Sequence, residues 1–303
     1  MTPPRPSDRS RLRARACLCA VIFAALAPQA ARAQHKPYEP VGVAYDRGAE
    51  ADAALRALVE ALRASVAKAD ASAVDAALSP AAMPVECDAD PAKACPPPPT
   101  AAPTEASKAG KAARPAKPAK AAAPKADPRL ARLVKLPPAQ RMRMGLCCRD
   151  VPIQHVTDAM REEALLGAVG AALEEETIGA NPDLPGAACM PAMPIFDRVK
   201  AARLALDADV DNANLRVATN ELVLRDRPAR DAAEVARIAK GQVAPLVTEA
   251  AAALPDGWNS IALPQGGLGY TDQGGMSDLT PAALCFVNEK GGWKIGAVIQ
   301  RHS

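Results

Sequence analysis

Residues 215–247 read LRVATNELVLRDRPARDAAEVARIAKGQVAPLV, and this stretch carries the clearest strand signal of the chain. Short runs that alternate between aliphatic and polar residues, or are rich in β-forming residues, lie at 215–218, 221–224, 235–239 and 242–247. Such alternation is typical of half-buried strands. The residues between the runs include the turn formers Asp, Pro and Gly. The stretch therefore predicts four short strands joined by turns.

The same pattern continues toward the C terminus. Further runs lie at 258–263, 268–271, 284–287 and 293–299, and glycine-containing turns separate them. Short strands at such regular spacing are typical of a small β-barrel. The last two runs flank the turn sequence at 288–291 and predict a hairpin that adds to the barrel.

Several of these pieces resemble bacterial Src-homology-3-like (SH3b) domains. LVLRDRP at 222–228 resembles the opening strand of that family, and VARIAKG at 235–241 resembles its next strand and turn. Gly257-Trp258 and GLGY at 267–270 resemble the following strands, in the family's order. The resemblance covers residues 215–279 and implies an SH3-like barrel. The whole chain is similar to a group of exported proteobacterial proteins that carry such a domain.

The resemblance also implies a role in binding. Bacterial SH3-like domains often contact peptidoglycan peptides, so the expected partner is peptidoglycan or an envelope protein. Aromatic rings are suited to such a contact face because they offer a large rigid area. The candidate ligand-binding residues are Trp258, Tyr270 and Trp293. The alternative for all three is that they pack in the core.

The N terminus predicts export. Five arginines precede an apolar run of twelve residues at 16–27, and Ala31-Arg32-Ala33 then forms a small-x-small site. A bilayer-spanning helix needs about 20 apolar residues, so this pattern is typical of a signal peptide cleaved after Ala33. The protein is expected to be periplasmic or secreted, with no transmembrane segment after cleavage. Without residues 1–33 the formal net charge is −2, which does not favour a nucleic-acid partner.

The cysteine count predicts disulfides. Six cysteines remain in the mature chain, and an even number in an exported protein is typical of disulfide bonding. Cys87 and Cys95 lie eight residues apart and are expected to bridge each other, and Cys148 is expected to bridge Cys189. Cys285 remains either a buried thiol or the partner of Cys147. Neighbouring cysteines such as Cys147 and Cys148 are not expected to pair together.

The chain divides by composition into segments of different kinds. Leu, Val and Ala at helical spacing predict a small helical region at 34–95. Residues 96–128 contain Pro, Ala and Lys with a net charge of +4, which predicts a disordered linker. Residues 129–206 are predicted to be a helical segment, and 207–303 the barrel with its closing hairpin. The expected fold class is α+β.

Enzymatic and metal-binding alternatives find little support. A Cys-His wall peptidase would have to use Cys147 or Cys148 with His155, on a segment without other catalytic features. Asp207, Asp209 and Asp211 resemble half of a calcium loop, but its essential Gly and Glu are missing. We therefore expect no catalytic residue, no metal and no cofactor. The sequence favours a non-enzymatic envelope protein, with a scaffolding protein that binds no small ligand as the alternative.

Overall fold

The structure is a computed structural model that describes residues 35–88, 90, 93, 132–148, 151–248, 254–272, 274–290 and 292–302. The predicted signal peptide, the predicted linker at 96–128 and Cys95 lie outside the described residues. Helices and several antiparallel sheets occur together, so the predicted α+β class is confirmed.

Five α-helices lie within the described residues. They are α1 (Ala53–Ala67), α2 (Ala71–Ala76), α3 (Pro138–Leu146), α4 (Asp158–Leu173) and α5 (Arg198–Ala208). Four of these helices begin after a residue whose side-chain oxygen accepts a hydrogen bond from a first-turn amide: Asp52, Asp70, Thr157 and Asp197. Such N-caps satisfy backbone donors that have no partner inside the helix. Local sequence therefore specifies where these helices start.

The strands fall into short and long elements. They are β1 (Val43–Ala44), β2 (Leu78–Asp88), β3 (Gly179–Ala180), β4 (Ala187–Met190), β5 (Ile195–Phe196), β6 (Leu215–Ala218), β7 (Leu222–Arg225), β8 (Glu234–Ile238), β9 (Val243–Pro245), β10 (Asn259–Ala262), β11 (Leu268–Thr271), β12 (Met276–Asp278), β13 (Ala283–Glu289) and β14 (Gly292–His302). The strands predicted from alternation at 215–271 are all present, with ends shifted by a few residues.

The C-terminal hairpin of β13 and β14 does not extend a barrel. It lies in a five-stranded sheet with the order β2-β14-β13-β4-β3. β14 pairs in parallel with β2, from Leu78 opposite Ile295 to Asp88 opposite His302. Residues 34–95 are therefore not a purely helical piece, since Leu78–Asp88 form a strand in the same sheet as β13 and β14. The segment at 129–206 is likewise not purely helical, because it contains β3, β4 and β5.

The two faces of the five-stranded sheet pack differently. Alternate residues such as Leu284, Phe286 and Val298 pack against α1, α2, α3 and α4 in the larger core. The intervening residues, including Cys285 and Ala297, form a smaller core on the other face. This is the side-chain period of two that strands impose. We call the five-stranded sheet and its four helices the helix–sheet unit.

The strands β6 to β12 form a second part, which we call the seven-strand unit. They make a sheet with the order β10-β11-β7-β8 and another with the order β12-β6-β9. One isolated bridge, Leu246 opposite Ile261, connects the two. Within the described residues neither sheet closes, so the predicted barrel is seen only as two open sheets. Helix α5 packs on this unit through Leu204 and Ala205, which share a core with Leu215.

An extended N-terminal segment, residues 35–47, crosses the seven-strand unit. The phenol of Tyr38 donates a hydrogen bond of 2.9 Å to the carbonyl of Ala262. The amide of Val43 donates to the carbonyl of Gly241, and β1 pairs with β5. The segment then leads into α1, so it connects the seven-strand unit to the helix–sheet unit.

The disulfides differ from the predicted pairs. Cys189 bonds to Cys285, and the predicted Cys148–Cys189 bridge is wrong. The reason is that Cys189 lies in strand β4 directly opposite Cys285 in β13, with both side chains on the same face. The sulfur atoms of the neighbouring residues Cys147 and Cys148 lie in contact with each other. Cys87 is disulfide-bonded as well, while its predicted partner Cys95 lies outside the described residues.

Candidate functional site

The three aromatic candidates do not form one surface. Trp293 lies in β14, within the strand run predicted at 293–299, but this strand belongs to the helix–sheet unit and the ring packs against its core. Trp258 immediately precedes β10, and Tyr270 lies in β11 opposite Ser260. Only Trp258 and Tyr270 therefore belong to the seven-strand unit.

Tyr270 lines a shallow groove of about 440 Å³. Its other walls include Asp226, Val235 and Gln265. Val235 is 38% exposed, which is high for a valine in a strand. Neither Trp258 nor Trp293 lines this groove, so it presents a single aromatic ring to a ligand.

A much larger cleft lies between the two units. Its volume is about 1220 Å³, and we call it the central cleft. The helix–sheet unit contributes the end of α4 and parts of β13 and β14, whereas the seven-strand unit contributes β6 and β12. The N-terminal segment closes one side. The side chains used below are Tyr45, Arg47, Glu175, Arg216, Lys240, Ser277, Asp278, Ala282 and Arg301.

Two arginines from different units meet at one carboxylate in this cleft. Nη1 of Arg301, from β14, lies 2.8 Å from Oδ1 of Asp278. Nε of Arg216, from β6, lies 3.3 Å from the same oxygen. Both guanidinium groups also donate to the carbonyl of Ala213, each at 2.7 Å. These contacts fix the two arginines side by side and connect the two units.

Burial perturbs the arginine of β6. Loss of solvent lowers the pKa of Arg216, the charge of Asp278 opposes this shift, and the nearby charge of Arg301 adds to it. A single carboxylate therefore faces two cations that are only partly exposed, with 23% of the Arg216 side chain and 17% of the Arg301 side chain accessible. Because solvent screening is weaker at such positions, charge interactions are stronger than on an open surface.

The N-terminal segment adds an aromatic ring and a further cation. Burial raises the pKa of Tyr45, while a hydrogen bond with Ser277 and the charge of Arg47 oppose the rise. The guanidinium carbon of Arg47 lies 5.8 Å from the centre of the Tyr45 ring, within range of a cation–π interaction. Tyr45 thus links the segment to β12 at the wall of the cleft.

The ionisable residues that line the central cleft carry unequal charge. Four are cationic, namely Arg47, Arg216, Lys240 and Arg301, and two are acidic, namely Glu175 and Asp278. The formal excess of two positive charges contrasts with the negative charge expected for the whole mature chain. The cleft is therefore a local cationic surface, with apolar walls that include Ala282.

Sequence reasoning did not find the residues of this cleft. The sequence predicts Arg216 only as a strand residue, and no local motif connects it with Asp278 or Arg301. Those two positions lie in later strands, and register in two different sheets brings them to Arg216. The one available signal was that Arg216 interrupts an otherwise apolar run at 215–218.

The remaining candidates occupy other positions. The sulfur atoms of Cys147 and Cys148 contact each other, and His155 is exposed. Asp207 pairs with Arg203, and Asp211 caps a short 3-10 helix. No group of three or more metal-ligating side chains occurs in the part of the chain that the structure describes. Among the described helices, none has the length and apolar character needed to cross a membrane.

Comparison with known proteins found no matching family model, no similar curated protein and no similar solved structure.

Proposed function

We propose that this protein is a non-enzymatic component of the cell envelope that binds a peptidoglycan peptide or a protein ligand in the central cleft. Binding sites are usually concave, with apolar walls and a few convergent polar groups. The central cleft fits this description, since charged side chains from both units and Tyr45 face one space of about 1220 Å³. The meeting of Arg216 and Arg301 at Asp278 is the observation that carries the proposal.

The proposed location follows from the N-terminal sequence. A cleaved signal peptide would place the mature N terminus at Gln34, and the disulfide between Cys189 and Cys285 fits an oxidising compartment. N-terminal sequencing of the exported protein should recover Gln34. Recovery of Met1 from the envelope fraction would contradict cleavage.

We also propose that strands β6 to β12 correspond to an SH3-like unit. The proposal is supported by the order of the motif pieces at 222–228, 235–241 and 267–270, each of which includes strand residues. Such a unit would supply one wall of the cleft, while the helix–sheet unit supplies the other.

A cosedimentation assay with purified peptidoglycan tests the proposed function. The mature chain should sediment with the polymer, and Ala282→Trp should reduce the bound fraction roughly tenfold, because a bulky ring would fill an exposed position on the cleft wall. Ala61→Trp is the matched control, since Ala61 is exposed on α1 and does not line the cleft. Its binding should equal that of the unmodified chain.

The same assay separates the alternatives. Loss of binding in Tyr270→Ala, with normal binding in Ala282→Trp, would move the site to the groove at Tyr270. No sedimentation of the unmodified chain would contradict a wall ligand. Sedimentation that is insensitive to both substitutions would contradict both sites.

A further inference from the structure

We infer that the central cleft recognises a ligand carboxylate through Arg216 and Arg301, so that its ligands are acidic peptides. This inference deepens the proposed function and depends on it. It concerns the chemistry of recognition, which the size and shape of the cleft do not specify.

The first support is a shortage of negative charge. Arg216 and Arg301 share one oxygen of Asp278, and among the described residues neither arginine has another acidic partner. Lys240, on the same cleft, forms no ion pair with the described part of the chain. A second carboxylate placed beside these arginines would meet two cations, with Asp278 as the acidic group in contact with them.

The second support is an available donor. Nη1 of Arg216 donates to two backbone carbonyls, and its Nε faces Asp278. Its Nη2 makes no hydrogen bond to any group in the described ranges. Because guanidinium groups bind carboxylates through paired donors, this nitrogen and the neighbouring Arg301 offer a geometry suited to a carboxylate.

The third support is preorganisation. Each arginine is held by a 2.7 Å hydrogen bond to the carbonyl of Ala213, and partial burial limits alternative rotamers. Ligand binding therefore restricts these two side chains only a little further, so less of the interaction energy is lost to conformational entropy. Small apolar residues on the cleft wall, such as Ala282 and Pro281, leave room for a peptide backbone.

The test uses the mature full-length chain and a matched pair of peptides. One is acetyl-Ala-Glu-Ala-Ala with free carboxylates, and the other is acetyl-Ala-Gln-Ala-Ala-amide, which is neutral. Isothermal titration calorimetry at low salt should show at least tenfold tighter binding of the acidic peptide, since hydrogen bonds between charged groups exceed neutral ones by roughly this factor. Added sodium chloride should weaken the binding of the acidic peptide more than that of the neutral peptide.

Substitutions assign the effect to the arginine pair. Arg216→Gln should weaken the binding of the acidic peptide roughly tenfold and leave the affinity for the neutral peptide unchanged. Asp278→Asn should tighten the binding of the acidic peptide, because the substitution removes the internal carboxylate that competes for both arginines. Arg237→Gln is the control, since Arg237 pairs with Glu221 and Glu234 and does not line the cleft. It should change neither affinity.

The outcomes separate this inference from the proposed function. Equal binding of the two peptides, or equal weakening of both by Arg216→Gln, would overturn carboxylate recognition. Weaker binding of the acidic peptide to Asp278→Asn would also overturn it. Inorganic phosphate that displaces the acidic peptide at equal concentration would show a general anion site instead. If neither peptide binds while peptidoglycan still sediments in an Ala282-dependent way, the inference is wrong and the proposed function stands.

Discussion

Replacement of Gly145 by alanine is expected to destabilise the protein, because helix α3 touches strand β2 at this glycine. A Cβ atom added to Gly145 would overlap Cγ of Pro84 and lie 2.8 Å from its Cβ. Both partners belong to covalently stiff parts, the backbone of a helix and the ring of a proline. The overlap can therefore be relieved only by moving α3 away from the sheet.

Two opposing contributions, overpacking and helix propensity, determine whether Gly145→Ala lowers or raises the free energy of unfolding. Overpacking a tight contact costs about 1–3 kcal/mol, whereas alanine in place of glycine stabilises a helix by up to about 1 kcal/mol. Gly145 lies in the last turn of α3, where the helical gain is smaller than in a helix interior. The net expectation for Gly145→Ala is a loss of about 1–2 kcal/mol in the free energy of unfolding.

Gly167 provides the matched control. It lies inside α4, and beyond its chain neighbours and the nearby backbone of its own helix no described atom lies within 4 Å of an added Cβ. Gly167→Ala should stabilise the protein by about 0.5–1 kcal/mol. Urea unfolding followed by far-ultraviolet circular dichroism measures both variants against the unmodified chain. If Gly145→Ala is as stabilising as Gly167→Ala, helix α3 does not pack on β2 as described.

Two further predictions concern the disulfide and a buried tyrosine. The bond between Cys189 and Cys285 spans a sequence separation of 96 residues. Because it restricts the unfolded chain, its replacement by two alanines should lower the free energy of unfolding by about 4–5 kcal/mol in urea. Non-reducing peptide mapping that joins Cys148 to Cys189 would contradict the pairing. Burial raises the pKa of Tyr38, so the folded state favours the neutral phenol and the unfolded chain ionises first. Stability should fall as the pH rises above the ordinary tyrosine pKa of about 10, and this fall should be smaller in Tyr38→Phe; equal falls in the two proteins would argue against burial of Tyr38.

The positions of helices and of most C-terminal strands could be predicted because their signals are local. Aspartate is a preferred N-cap residue, and Asp70 caps α2 by accepting a hydrogen bond from the amide of Ala73. The run at 268–271 alternates in character and forms β11 over the same residues. Such signals depend on neighbours a few residues away, which the sequence displays directly.

Strand β2 was missed for a reason that lies in its position in the sheet. Pro80 and Pro84 interrupt LSPAAMPVECD, and prolines argue against a central strand. β2 is an edge strand, where a missing amide donor is tolerated. Its pairing with β14 joins residues more than 200 positions apart in the sequence. A pattern of neighbouring residues does not indicate which distant strand will pair with it.

Local sequence specifies the α+β class, the capped helix starts and the short strands of the seven-strand unit, because periodicity, capping and turn chemistry act over a few residues. Long-range pairing is what brings the C-terminal hairpin to β2, Cys189 to Cys285, and Arg216, Asp278 and Arg301 into one cleft. These results depend on strand order and register between distant segments. A change of register by one residue would turn each of these side chains to the opposite face of its sheet.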